Sequence, residues 1–398
     1  MPDGRVLENG GVTVDGDTIV SVGGRSGLRR TSRDRIVNLG ETLLLPGFIN
    51  MHTHLEEGLL RGIPKEDTET FASWRAKRLS RMRNAPADAV ISTVRLGILE
   101  ALANGITTVV DFSRRDISPL VLRDEPIRSW VVHEIYAEDA DAETEIHDHL
   151  EKRIRQSRHD SPNVGVGPHA LYSLSPRSHR VISDFALQNR YLWASHMAES
   201  AEELQAFTEH GGDLYFQITR KKQWPFGDIK MTPMQSAISM NLIPFRGICI
   251  HCNYVSGQEL SLLTAKHASV VACPRYTEEI GHKPFPLDIA LQRGLNVCLG
   301  TESPGGSHAM NLFDELHYIK QTHPHLPALD LINLVTRNPA KALRSTGRLG
   351  SIDDGKTADI IGVRFNHCPT QNVLEEMLIE DPEVAFVMVG GEEVIAGY

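Results

Sequence analysis

The chain has 398 residues, a formal net charge of −10 at pH 7, 41% hydrophobic residues and 23% charged residues. Such a composition marks a folded globular protein, and the length suits one large α/β barrel carrying a smaller added unit. The acidic balance argues against nucleic acid or an anionic membrane as the main partner, since both reward basic patches, and no apolar run is long enough to span a membrane.

The N-terminus, Met-Pro-Asp-Gly-Arg, lacks the apolar stretch of a secretory signal. Residues 1 to about 47 read as short strands joined by Gly/Asp turns. The run Gly11 to Val20 alternates and turns at Asp15-Gly16, a hairpin signal. Arg25, Arg29, Arg30, Arg33 and Arg35 form a basic run best read as a solvated loop. Five cysteines, Cys249, Cys252, Cys273, Cys298 and Cys368, are an odd number without disulfide spacing. They fit a reducing compartment, and we expect a cytoplasmic protein.

The middle of the chain repeats one pattern: a short apolar run ending in a polar or ionisable residue, then a more helical stretch. The runs end at His52, Asp111, Glu134, His169, His196, His251, Cys273 and Thr301. Helical stretches such as Asp88–Ala103 and Ala201–His210 lie between them. Eight such units predict an α/β fold, a (β/α)8 TIM-type barrel over 48–345. Residues 346–398 again read as strands, at Ala358–Val363 and Val384–Val389. With residues 1–47 they should pair into one small, discontinuous β-sandwich.

A barrel of this kind places its chemistry at the C-terminal ends of the strands. Those ends carry His52, His54, Asp111, Glu134, His169, His196, His251 and Glu302. In extended chain, His52 and His54 point to one side, so both imidazoles can face one metal ion. His196 ends another strand, and Glu199 follows at a distance that reaches back over the same pocket as a general acid and base. An acid at a helix start is the bland reading of Glu199. His251 can position or deprotonate a water, and a satisfied core histidine is its alternative. Glu302 is placed to complete the metal site or to accept the water's proton. Cys249 and Cys252 form a CxxC without the second pair that a structural zinc site needs. Gly350-Ser-Ile-Asp-Asp-Gly-Lys-Thr357 matches the P-loop letter for letter, but a strand follows where a helix should, so it reads as a β-turn.

Pro46-Gly-Phe-Ile-Asn-Met-His-Thr-His54 resembles the opening motif of the amidohydrolase superfamily. Gly167 to Pro176, His196-Met-Ala-Glu-Ser200 and Asn338-Pro-Ala-Lys-Ala-Leu343 resemble its branch containing cytosine deaminase, adenosylhomocysteine deaminase and the triazine hydrolases. A likeness to aminodeoxyfutalosine-deaminase-like proteins rests on His54-Leu-Glu56, His196 to Glu203 and Cys273 to His282. The resemblance spans nearly the whole chain. It implies one divalent metal, zinc or iron, held by His52, His54, His196 and the acid at 302. It implies that Glu199 shuttles protons, that His251 steadies the attacking hydroxide, and that His169 faces the substrate. A homodimer is implied in the same way. The chain departs from the family where Thr301-Glu-Ser303 replaces Thr-Asp-Ser, where Pro304-Gly-Gly306 follows, and where Tyr276-Thr277 replaces Thr-His.

The expected reaction is hydrolytic deamination of an aminated heterocycle, a purine, nucleoside or pterin-like ring. Trp74, His169, Tyr172, Arg275 and Glu134 are candidate substrate contacts. Two alternatives stay open: hydrolysis of an amide, cyclic amide or C–Cl bond by the same site, and a ligand-binding barrel with catalysis impaired by Glu302.

Overall fold

The computed structural model describes residues 6–24, 26–29, 31–32, 34–66, 68–136, 143–157, 163–221, 223–303, 309–367, 372–380 and 382–396. Arg25, Arg30, Arg33, Cys368 and the segment Pro304–Gly306 lie outside the described residues.

The hairpin is β1 (Gly10–Asp15) and β2 (Thr18–Gly24), antiparallel, with Gly16 in the left-handed region at φ +57°. Strand β3 (Leu43–Pro46) leads through Gly47 into the eight barrel strands: β4 (Phe48–Thr53), β5 (Ile106–Ser113), β6 (Arg128–Ile135), β7 (Val164–Pro168), β8 (Leu192–Met197), β9 (Ile248–His251), β10 (Ser269–Ala272) and β11 (Asn296–Leu299). Each pairs in parallel with its sequence neighbour. All eight expected runs are strands. The helices Ala87–Ala103 and Ala201–Thr208 fall on two expected helical stretches.

Side chains alternate between two cores, as the strand period requires. Ile49, Met51, Val110, Phe112, Val132, Ala194, Ile250 and Cys298 fill the barrel interior. Phe48, Val109, Val131, Val166, Trp193, Val270 and Val297 face the surrounding helices. Because both faces are buried, the strands read as continuous apolar runs.

The seam between β11 and β4 is closed from both ends. At one end the amides of Thr301 and Glu302 donate to His52 O at 3.2 Å each, and His54 N donates to Glu302 O at 3.3 Å. At the other, Leu299 N donates to Leu334 O and Ile49 N to Val335 O, so Leu334–Val335 lies across the gap. Asn338 fastens this segment: its side chain donates to Val297 O at 2.8 Å, and its carbonyl accepts from Asn296 Nδ2 at 3.0 Å.

Both chain ends build the second unit. Strands β12 (Ile360–Arg364), β13 (Glu383–Val389) and β14 (Glu392–Ala396) join β3 in a four-stranded sheet of order β14-β13-β12-β3. Ile19, Ile352, Ala358, Ile360 and Phe386 form a shared core, with Val12, Val14 and Val22 packed on it. The P-loop-like segment is a turn. Gly355 N donates to Ile19 O at 2.7 Å, and Lys356 Nζ donates to Leu349 O and Ser351 Oγ. The described residues of the basic run, Arg29 and Arg35, are exposed.

Candidate metal centre and active site

Strict alternation along β4 would aim His52 away from the barrel axis, because Ile49 and Met51 point inward. The register corrects this. Asn50 pairs with Val109 and Thr53 with Asp111, so three residues of β4 span two of β5. The extra residue is a β-bulge, and it re-aims the residues after it. Asn50 holds the result in place. Its Nδ2 donates to Thr301 Oγ1 at 2.8 Å, while its Oδ1 accepts from Thr301 N and His52 N.

His52, His54, His196, His251 and Glu302 converge, all buried. His54 Nε2 and His196 Nε2 lie 3.4 Å apart. Two nitrogens each about 2.1 Å from one tetrahedral ion are about 3.4 Å apart, so the pair fits a shared ion. Their other nitrogens are engaged, His54 Nδ1 with Phe112 O at 3.2 Å and His196 Nδ1 with His169 O at 2.7 Å. Backbone carbonyls that accept from Nδ1 leave Nε2 free to ligate. Glu302 Oε2 lies 2.6 Å from His52 Nε2 and 3.6 Å from His251 Nε2, and its Oε1 lies 3.7 Å from His54 Nε2. His52 Nε2 and Glu302 Oε2 are buried without a hydrogen bond, which is the condition of ligand atoms awaiting a cation, and His251 Nε2 beside them is likewise without a partner. Among the described residues, two sets of groups are close enough to hold an ion: His52, His196, His251 and Glu302, and His54, Glu134 and His196.

The electrostatics agree. Burial pushes His52 and His251 down to about 4 and His196 well below the usual range, so these imidazoles are neutral near pH 7. Burial works against ionisation of Glu302, but His52, His54 and His251 around it hold its carboxyl well below the usual range. Burial also works to lower His54, but the surrounding carboxylates, Glu302 first, raise it, so a cation would compete with a proton there; imidazoles with one carboxylate are a donor set for zinc or iron.

Glu199 follows β8 through Ala198, which is left-handed at φ +48°. Ser200 caps the helix Ala201–Thr208, and Glu203 folds back to accept from Ala198 N and Glu199 N. The Glu199 side chain therefore turns into the site rather than along the helix. Its Oε1 accepts from Tyr276 OH at 3.3 Å and lies 3.7 Å from His251 Nε2. Burial raises its pKa, with the Arg75 guanidinium opposing.

The other expected site residues divide. His169 faces Arg75, and its Nδ1 contacts Ser173 Oγ at 2.6 Å. Glu134 Oε1 lies 3.5 Å from His196 Nδ1. The Tyr172 ring lies 6.1 Å from His169. Trp74 is buried among Phe71, Cys273, Tyr276 and Ile280, as core packing would have it. Arg275 is not brought to the cluster; its guanidinium meets Asp314 at 2.6 Å. Asp111 does not join the cluster either. It accepts from Leu55 N and Ser118 Oγ, and burial raises its pKa to about 7. The four described cysteines are buried and unbridged.

Sequence reasoning missed Arg75, Tyr276 and Glu56. Glu56 accepts from Ser113 Oγ and from the amides of Arg114, Arg115, Ile117 and Ser118, fixing the loop beside His54. Arg75 had one visible signal: with Arg78 it interrupts the face that carries Phe71, Trp74 and Met82.

A (β/α)8 barrel with histidines and acids gathered at the C-terminal ends of its strands defines a metal-dependent hydrolase. Residues 43–394 match the amidohydrolase family, and the chain belongs to it. It is 26% identical over 376 residues to a 5-methylthioadenosine/S-adenosylhomocysteine deaminase of Thermoanaerobacter pseudethanolicus, covering 89% of this chain and 80% of the relative. Among solved structures, it resembles the aminofutalosine deaminase of Helicobacter pylori, with a TM-score of 0.81 at 22% identity, over 99% of this chain and 97% of that one. It also resembles the atrazine chlorohydrolase of Arthrobacter aurescens complexed with zinc, with a TM-score of 0.83 at 21% identity, over 99% and 92%.

Proposed function

We propose that the protein is a hydrolytic deaminase of an aminated heterocycle, purine, nucleoside or pterin-like, using one divalent ion per chain, zinc or iron. His52, His54, His196 and Glu302 would hold the ion. The observation that carries this is the 3.4 Å approach of His54 Nε2 to His196 Nε2 beside the Glu302 and Glu199 carboxylates. When bound, the ion supplies Lewis acidity that makes water a nucleophile near neutral pH.

The residues then divide the proton work. Glu302, held ionised, accepts the proton of the attacking water at a carboxylate oxygen. Glu199 delivers its carboxyl proton to the ring nitrogen beside the attacked carbon and regains one from the added hydroxyl as the carbonyl forms, while the proton that Glu302 took from the water goes to the departing amine. His251 donates from Nε2 to the oxygen that adds. His169, Glu134 and Tyr172 line the approach. Ammonia leaves, and the ring keeps the oxygen.

The same reading makes the partner a small molecule, neither nucleic acid nor membrane. Among the described residues no helix is long and apolar enough to cross a membrane. Buried free cysteines suit the cytoplasm, and we take the enzyme to be a homodimer there. We further propose 1–47 with 346–398 as the β-sandwich unit and 48–345 as the catalytic barrel.

Metal content and ammonia release test this together. Wild type purified without added metal should carry about one zinc or iron per chain, and His196→Ala should lose it. Wild type should release ammonia from a panel of aminopurines, nucleosides and aminopterins, stop on chelation, and recover with metal. A metal-free wild type that releases no ammonia even after loading would overturn the proposal.

A further inference from the structure

One half-buried cation at the site has no part in that reaction. Arg75 lies on the helix Phe71–Asn84, which covers the mouth of the barrel. Its guanidinium contacts His169 Nε2 and lies 3.5 Å from Glu199 Oε2, with its side chain 19% exposed. Its position does not depend on those contacts alone. Glu202 accepts from the amides of Phe71 and Ala72 at the helix start. One turn beyond Arg75, Arg78 meets Glu57 at 2.8 Å and lies over the Trp74 ring at 4.8 Å.

Besides Glu199, the field of Arg75 holds the carboxylates of Glu134 and Glu203 and three phenols. Tyr136, Tyr172 and Tyr276 are the phenols in its field. Tyr136 stacks on His169 with ring centroids 4.3 Å apart, and Tyr276 already gives its proton to Glu199. A guanidinium has no acceptor and keeps its charge in a protein. Both of its present partners, His169 and Glu199, face the reacting ring in the proposed mechanism. A ring seated between them draws one or both away from Arg75. A half-buried cation covered by a ring and stripped of its acceptor loses free energy unless the ring supplies a replacement, so a ring that carries one is favoured.

We propose that Arg75 reads an oxygen on the substrate ring. The substrate is then an amino-oxo heterocycle, with a cyclic amide beside the scissile C–N bond as in guanine or pterin, rather than an aminopurine without ring oxygen. This deepens the deaminase reading and rests on it. Arg75 reaches the groups at the reacting carbon, which places the oxygen on the ring and not on a distant substituent.

Guanine and 2-aminopurine carry the same scissile amine and differ in the ring oxygen and the N1 proton that comes with it, so the Arg75 variants, and not the wild-type ratio alone, assign the oxygen. Metal-loaded wild type should favour guanine in kcat/KM by at least about tenfold, the value of a charge-assisted hydrogen bond. Arg75→Met should bring the ratio close to one. Arg75→Lys, which keeps the charge, should retain more of it. Equal loss in both variants would mean that helix packing sets the preference, and would overturn the assignment. A wild type without preference overturns it too, and leaves the deaminase reading standing if ammonia is released. If Arg75→Met instead abolished a preference for S-adenosylhomocysteine over methylthioadenosine, the oxygen would lie on a carboxylate tail and the ring assignment would fail. If loaded wild type releases no ammonia from these four compounds or from the wider panel of nucleosides and aminopterins, the deaminase reading fails. Calorimetric binding of guanine against 2-aminopurine then decides Arg75 alone: a wild-type preference lost in Arg75→Met upholds it, and equal binding overturns it.

Discussion

Shortening Glu302 to Asp separates a metal ligand from a backbone requirement. The Glu302 carboxylate reaches His52 Nε2 at 2.6 Å, His251 Nε2 at 3.6 Å and His54 Nε2 at 3.7 Å. Aspartate draws the carboxylate back by about 1.5 Å, one C–C bond, so the shortest approach opens to about 4 Å if the backbone holds. The backbone is pinned by hydrogen bonds between residues 52 and 302 and between 302 and 54, so it cannot follow. Losing an outer partner of a ligand already costs about 10- to 100-fold in metal affinity. Glu302→Asp should weaken zinc binding by more than about 100-fold. The fold should not suffer, because residue 302 is left-handed at φ +60°, where Asp is better tolerated than Glu. Competition with a chromophoric chelator measures the affinity, and thermal unfolding of the metal-free protein measures the fold. Zinc binding by Glu302→Asp as tight as wild type, or tighter, would refute the ligand geometry and show that Glu302 is a drifted residue.

Asn50→Ala should leave the buried amides of Thr301 and His52 without their acceptor. It should lower unfolding free energy by about 2–4 kcal/mol in urea; an unchanged midpoint would mean the seam does not need it. Gly167→Ala would put a Cβ 1.7 Å from Ala194 O between β7 and β8. Such overpacking against backbone should cost about 3 kcal/mol or more, and a soluble variant with wild-type melting would contradict the strand spacing. Asp116 is opposed by burial but held ionised by His133 and Arg153, which bring its pKa down to about 2. A depressed carboxylate stabilises above its unfolded pKa of about 3.9, and loses that stabilisation as pH falls through about 2. Asp116→Asn should therefore lose about 2 kcal/mol near pH 7 and flatten the stability profile between about pH 4 and pH 2. An acid limb as steep as wild type would be the contrary result.

The barrel was legible because each strand is buried on both faces and reads as an apolar run, and because a polar or ionisable residue lies at or just beyond its end. His52, His54, His196, His251 and Glu302 were found by that rule, and the structure brings their side chains together. Glu199 was ambiguous in sequence, since an acid before a helix needs no further reason. Its direction is decided by Glu203, which takes the backbone amides that Glu199 would otherwise serve. Arg275 stands apart from the cluster because proximity in sequence to Cys273 and Tyr276 says nothing of direction, and Asp314 on another helix meets its charge. Arg75 was missed for the converse reason. It lies more than 90 residues from His169 and 124 from Glu199, and only the docking of its helix on the barrel joins them.

The bulge in β4 was equally beyond sequence, since His-Thr-His requires one shared side but not which side. Its effect explains why so much irregular backbone gathers here. Ala198, His251, Cys252 and Glu302 are all left-handed without being glycine, at a typical cost of about 1–3 kcal/mol each. Regular strands would send residues at the barrel rim alternately inward and outward. A site needing consecutive or oddly spaced side chains on one side must break that period. The hydrogen bonds that join β4 to the residues after β11 hold the broken register closed, and Glu302 belongs to both the seam and the cluster. Closure of the barrel and assembly of the metal site are therefore one structural event, which is why a change of one methylene at residue 302 is the sharpest probe of both.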